Sequence, residues 1–112
     1  ITIRMAKKIS KKIIERVNAY AKFINKDIPI SGVYIFGSHA KGKAKPGSDI
    51  DVAILSTSFG KNPHEEGKWL QRKLWGVSYS NLDVVGYSPT EFKIGKSPLL
   101  AEIRKTAVSI SY

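Results

Sequence analysis

Asp49 and Asp51 stand two residues apart in Ser48-Asp49-Ile50-Asp51-Val52-Ala53-Ile54-Leu55. In an extended strand, residues two apart point the same way. Two carboxylates side by side repel, and one would hold its proton unless a cation sat between them. Mg²⁺ suits that position, because it takes hard oxygen ligands and keeps phosphate oxygens and waters in its shell. Asp83 lies inside a second apolar run, Asn81-Leu82-Asp83-Val84-Val85, where a carboxylate is costly unless paired, bonded or metal-bound. If that strand lies beside the first, three carboxylates cluster. Such a cluster can hold two metal ions about 3.5–4 Å apart and serve both ends of an in-line phosphoryl displacement.

A phosphate-binding turn precedes the aspartates. Gly37-Ser38 breaks the hydrophobic run Val33-Tyr34-Ile35-Phe36. Gly37 lets a phosphate approach the backbone, and Ser38 offers a hydroxyl. A short helix over residues 39–43, capped by Ser38, would add free backbone N–H groups for an anion. Lys41, Lys43 and Lys45 bring positive charge. His39 could assist a phosphate or a proton transfer, although an exposed bystander is the commoner case. Trp69 and Trp75 could stack on a base, but packing or partial exposure on a helix is the plainer reading. His64, Glu65, Glu66, Glu91 and Glu102 read as ordinary helix residues.

The elements that must position these residues follow from periodicity. Ala6, Ile9, Ile13, Val17, Tyr20, Ala21 and Ile24 predict an amphipathic helix over residues 4–26. Pro29 stops it. Strands are expected over Ile30 to Phe36, Asp49 to Leu55 and Asn81 to Tyr87, with a last one through Val108, Ile110 and Tyr112. Asn62-Pro63, with Glu65 three residues after the cap, opens a helix carrying Leu70, Leu74 and Val77. Ser88-Pro89 starts a turn that could run on as a short helix through Phe92, and Ser97-Pro98 opens a helix over Leu99 to Lys105. The order predicts one α/β (α+β) domain spanning residues 1–112, with a small mixed sheet of about four strands flanked by helices.

Composition bounds the partners. The 112 residues carry 19 Lys plus Arg against 9 Asp plus Glu, a net charge of +10. Residues 1–26 hold eight of the cations and one acid, Glu15. That balance suits a nucleotide, a nucleic acid or an acidic protein face, and equally a plain solvated surface. No aromatics are interleaved on the cationic face of the first helix, which weakens a single-strand reading. There is no cysteine, which excludes disulfides and thiolate chemistry. No apolar run reaches the roughly 20 residues of a membrane span, and no apolar signal segment opens the chain. The expected location is the cytoplasm.

Gly37-Ser38, ten intervening residues and Asp49-Ile50-Asp51 resemble the signature of the polymerase-beta-type nucleotidyltransferase superfamily. Gly-Ser-His-Ala-Lys-Gly followed by Ser-Asp-Ile-Asp is similar to its minimal nucleotidyltransferase branch, and Asn81 to Val85 resembles the strand with the third carboxylate. The resemblance implies an enzyme that moves a nucleoside monophosphate, AMP from ATP, to a hydroxyl with release of pyrophosphate. It implies two Mg²⁺ ions on Asp49, Asp51 and Asp83, with Asp83 helping to deprotonate the acceptor. Gly37 and Ser38 would hold the triphosphate, and Lys41 stands where relatives carry arginine or lysine. Larger members have a second domain that grips base or acceptor. Here a partner or a second copy of the chain is expected to complete the pocket. Similar proteins serve as antitoxins beside a helical HEPN-type toxin, some by adenylylating a toxin tyrosine. The alternatives are an antitoxin that neutralises by contact alone, and a transferase acting on RNA or a small molecule.

Overall fold

Ser10 caps the first helix of the described residues, so the span expected as one helix over residues 4–26 is not continuous. The computed structural model describes residues 9–77 and 81–110. Ser10 is extended (φ −63°, ψ 150°), and its side chain accepts a hydrogen bond from the Ile13 N–H. A hydroxyl that bonds a nearby backbone N–H favours the cap over the helix interior. Helix α1 therefore runs Lys11–Ile24 and buries Val17, Tyr20, Ala21 and Ile24. Lys11, Lys12 and Lys22 face solvent, as does Lys26 just beyond the helix end. Arg4, Ala6, Lys7 and Lys8, expected on the same helix, lie outside the described residues. Ile9 precedes the cap yet is still buried in the core.

The sheet has four strands: β1 (Gly32–Phe36), β2 (Ile50–Leu55), β3 (Leu82–Tyr87) and β4 (Val108–Ser109), in the order β3-β2-β1-β4. The β1–β2 and β1–β4 pairs are antiparallel. The β2–β3 pair is parallel. A parallel pair needs a crossover element, and α2 (Pro63–Leu74) with a 3₁₀ turn at Trp75–Val77 supplies it. Helices α3 (Pro89–Ile94) and α4 (Pro98–Thr106) link β3 to β4. Each of these three helices opens on the polar residue before its proline: Asn62, Ser88 and Ser97 accept from the N–H three residues on. Tyr112, expected in the last strand, lies outside the described residues.

Both faces of the sheet are covered. Ile50, Val52 and Ile54 of β2 join Val33 and Ile35 of β1 and Leu82 and Val84 of β3 in the core beneath α1 and α2. Ala53 and Leu55 join Phe36, Phe92, Leu100 and Ile103 beneath α3 and α4. Tyr20 ties the first layer together: its buried hydroxyl donates to the Leu70 carbonyl oxygen at 2.8 Å. Alternation along β2 therefore assigns Asp51 to the face of Ala53 and Leu55, at the end where β2 begins.

The expected helix over residues 39–43 is not formed, and the chain makes turns instead. Gly37 and Gly42 have positive φ (74° and 72°), which a continuing right-handed helix does not allow. The Lys41 N–H reaches the Gly37 carbonyl (3.1 Å), while that of Lys43 reaches back to Ser38 (2.9 Å). The single turn between the two glycines is all the helical geometry available there. Ser38 thus heads a turn rather than capping a helix.

Candidate active site

Asp51 and Asp83 are paired across the β2–β3 ladder. The conditional placement of the third strand beside the second is met, and in register. The Ile50 N–H donates to the Asn81 carbonyl oxygen (2.8 Å), which fastens the two strand starts together. Asp49 immediately precedes β2, and it and Asp83 are exposed while Asp51 is half-buried. Burial raises the Asp51 carboxyl above the ordinary carboxylate range, and the negative charges of Asp83 and Asp49 push it further the same way. His39 opposes them. The three aspartates therefore share one electrostatic neighbourhood in which burial and like charge at Asp51 outweigh the offset from His39.

Gly37 closes the other side. A Cβ there would overlap the Asp51 carboxylate oxygen Oδ2 and lie 3.2 Å from its Cγ. Phe36, one residue earlier, is the register partner of Asp51. The antiparallel β1–β2 pair thus brings the Gly-Ser turn onto the carboxylate, and only a residue without a side chain permits that approach.

His39 is not an exposed bystander. Its ring is half-buried, with Nε2 3.2 Å from the Ser48 carbonyl oxygen; because a carbonyl only accepts, this nitrogen carries the proton. The bond closes the loop of residues 39–48 and lies next to Asp49. Lys41 forms an ion pair with Glu102 on α4 (2.8 Å, both side chains 43% exposed). Glu102 is held below its ordinary pKa, chiefly by its hydrogen bond from Lys41. Neither contact was legible in the sequence. His39 closes a loop whose shape depends on its own turns, and the Lys41–Glu102 pair joins residues far apart in the chain.

Other candidates fall away from the aspartates. Trp69 packs against the core beneath α1 and α2, with the Lys73 ammonium over its ring, whereas Trp75 is 83% exposed. Glu66, not Glu65, reaches back over the start of α2: its carboxylate accepts from the N–H groups of Gly60, Lys61 and Asn62. Glu91 completes a capping box with Ser88. Both have structural work.

The residues fit a hard divalent cation by the chemistry of the donor set: three oxygen-donor carboxylates, one with its proton affinity raised by burial and then by the other two. Among the described residues, no three or more His, Asp or Glu side chains are arranged so that they could hold a metal ion together, so the fit lies in the donor chemistry and not in a formed cage.

A mixed sheet between two helical layers, with a Gly-Ser turn against strand-borne aspartates, is the architecture of a nucleotidyltransferase. The chain belongs to the nucleotidyltransferase domain family, whose model matches residues 11–109. No curated protein matches it in sequence. A protein from Sulfolobus solfataricus assigned as a nucleotidyltransferase has the same fold, with a TM-score of 0.67 and 21% identity, covering 88% of this chain and 78% of its own. A toxin–antitoxin crystal structure with AMP-PNP gives a TM-score of 0.58 at 26% identity, over 82% of this chain and 69% of that one. A structure of the tri-AMPylated Shewanella oneidensis HEPN toxin in complex with MNT antitoxin gives 0.54 at 23% identity, over 85% and 68%. No helix among the described residues is long and apolar enough to cross a membrane.

Proposed function

We propose that this protein transfers AMP from ATP to a hydroxyl of a partner protein, a HEPN-type toxin, and acts as its antitoxin. The observation that carries the reading is the in-register placement of Asp51 opposite Asp83, with Gly37 held against the Asp51 carboxylate. The neighbour that contains AMP-PNP and the neighbour whose toxin is AMPylated supply the nucleotide and the partner class.

In this reading Asp49, Asp51 and Asp83 hold Mg²⁺, which supplies charge neutralisation at the phosphates when bound. Gly37 and Ser38 receive the triphosphate, and Lys41 exchanges Glu102 for a phosphate oxygen. The acceptor oxygen bonds to the α-phosphorus, and the bond from that phosphorus to the bridging oxygen of pyrophosphate breaks. The acceptor proton passes to Asp83, an exposed carboxylate of the set. A cysteine-free chain suits a cytoplasmic setting.

The test is incubation with labelled ATP, Mg²⁺ and the product of the neighbouring gene, followed by mass analysis of both proteins. AMP should appear on the partner. Asp49→Ala combined with Asp51→Ala should abolish the transfer while leaving partner binding intact. Toxin neutralisation that survives in that double variant would establish contact alone as the mechanism. No added nucleotide on any acceptor overturns the transferase reading.

A further inference from the structure

A cleft of about 480 Å³ lies between the start of α1 and the 39–48 loop. Its walls are the first turns of α1, the loop itself and Asn81. Ser48 and Asn81 line it, one residue from Asp49 and two from Asp83 respectively. Yet α1 packs on the Ile50–Val52–Ile54 face of the sheet, whereas Asp51 belongs to the Ala53–Leu55 face. The cleft therefore borders the candidate active site without being its metal and phosphate end.

Its charge is one-sided. Lys12, Arg16, His39 and Lys45 line it, and none of its described lining residues is Asp or Glu. Arg16 Nη1 donates to the Asn81 side-chain oxygen at 3.1 Å, which fixes the guanidinium against the wall. Lys12 and Lys45 are exposed, and neither has an ion-pair partner among the described residues. Two exposed ammonium groups beside an anchored guanidinium make a receptor for carboxylates. Phe, Tyr and Trp are absent from the described lining residues, so none of these offers a ring platform for a nucleobase. That favours an acidic protein segment over single-stranded RNA.

We infer that this cleft receives an acidic segment of the protein that carries the acceptor hydroxyl, so that Lys12 and Lys45 seat the acceptor beside Asp49 and Asp83. The inference rests on the transferase reading for its purpose, but not for its binding chemistry.

The experiment uses the whole protein without ATP and a short fluorescent peptide rich in glutamate that contains one tyrosine. Controls are the same peptide with glutamine for glutamate and an oligoribonucleotide of matching charge. Lys12→Glu combined with Lys45→Glu should weaken acidic-peptide binding about tenfold or more at low salt. Lys22→Glu combined with Lys96→Glu removes the same net charge elsewhere on the exposed surface and should change it less than about twofold. Thermal melts of both variants check the fold. Equal peptide loss in the two variants overturns the site. So does tighter binding of the oligoribonucleotide that is lost in the cleft variant, which would assign the cleft to RNA. Peptide binding at Lys12 and Lys45 with no AMP transfer to any acceptor supports the cleft and sinks the transferase reading, so the two fail separately.

Discussion

Gly37 and Asp51 occupy space that only one side chain can use: a Cβ on Gly37 would overlap the Asp51 carboxylate oxygen, and Gly37 itself has φ +74°. The turn meant for the triphosphate and the carboxylate meant for the metal are thus a single packed unit. Gly37→Ala faces two penalties, the left-handed backbone, which costs roughly 1–2 kcal/mol for a residue with a Cβ, and displacement of Asp51. The variant should melt several degrees lower and lose AMP transfer by far more than its loss of stability explains. Wild-type transfer by a variant with an unchanged melting temperature would show that the two groups are not coupled.

Asp51 carries a pH signature. Its folded-state pKa is raised by burial first and then by Asp83 and Asp49. A carboxyl with a raised folded pKa contributes stability that is fully present below its unfolded pKa and lost as pH rises through the folded value. Asp51→Asn removes that loss. In metal-free buffer the variant should be more stable than the wild type at neutral pH, and its advantage should vanish as pH falls below the ordinary carboxylate range. Mg²⁺ should raise the melting temperature of the wild type and not of the variant. An Asp51→Asn protein less stable than the wild type at neutral pH would contradict the repulsion described above.

Lys41 and Glu102 separate stability from catalysis. Exposed ion pairs are worth about 0–1 kcal/mol, so Glu102→Gln should leave the melting temperature nearly unchanged. It releases Lys41 from its 2.8 Å partner, so KM for ATP should stay the same or fall. Lys41→Ala should raise that KM about tenfold, the scale of a lost charged hydrogen bond to phosphate, with stability intact. Equal KM values in wild type and Lys41→Ala would remove Lys41 from the phosphate site.

Tyr20 lies far from this chemistry in function. Its side chain is fully buried, and its hydroxyl donates to the Leu70 carbonyl at 2.8 Å; burial also drives its pKa well above the phenolic norm. Tyr20→Phe should cost about 1–2 kcal/mol by denaturant melt, because the carbonyl loses its buried donor. Transfer below the melting temperature should be unaffected. A loss of activity without a loss of stability would place Tyr20 in the functional machinery.

The features legible in the sequence are local ones. Alternation in Ile50 to Leu55 assigned Asp51 to one face because strand side chains repeat every two residues. Asn62, Ser88 and Ser97 were readable as helix starts because a polar cap before proline has a local cause. What stayed hidden depended on contacts or on competing local choices. Ser10 displaced the expected start of α1, since the apolar spacing continued through it. Gly42 turned the expected helix at 39–43 into successive turns. Glu66 displaced Glu65 because the capping carboxylate had to reach N–H groups of the preceding loop. The His39–Ser48 and Lys41–Glu102 contacts required the folded chain.

The pairing of β2 with β3 has a consequence for misfolding. If β3 shifted by a single residue along β2, its alternation would invert: Leu82 and Val84 would leave the core beneath α1 and α2, and Asp83 would be driven into it. The same error that dismantles the carboxylate set therefore also strands a charge in hydrocarbon. A chain that has folded stably has, by that fact, assembled its acidic centre, so intact but misaligned and catalytically dead protein should not accumulate.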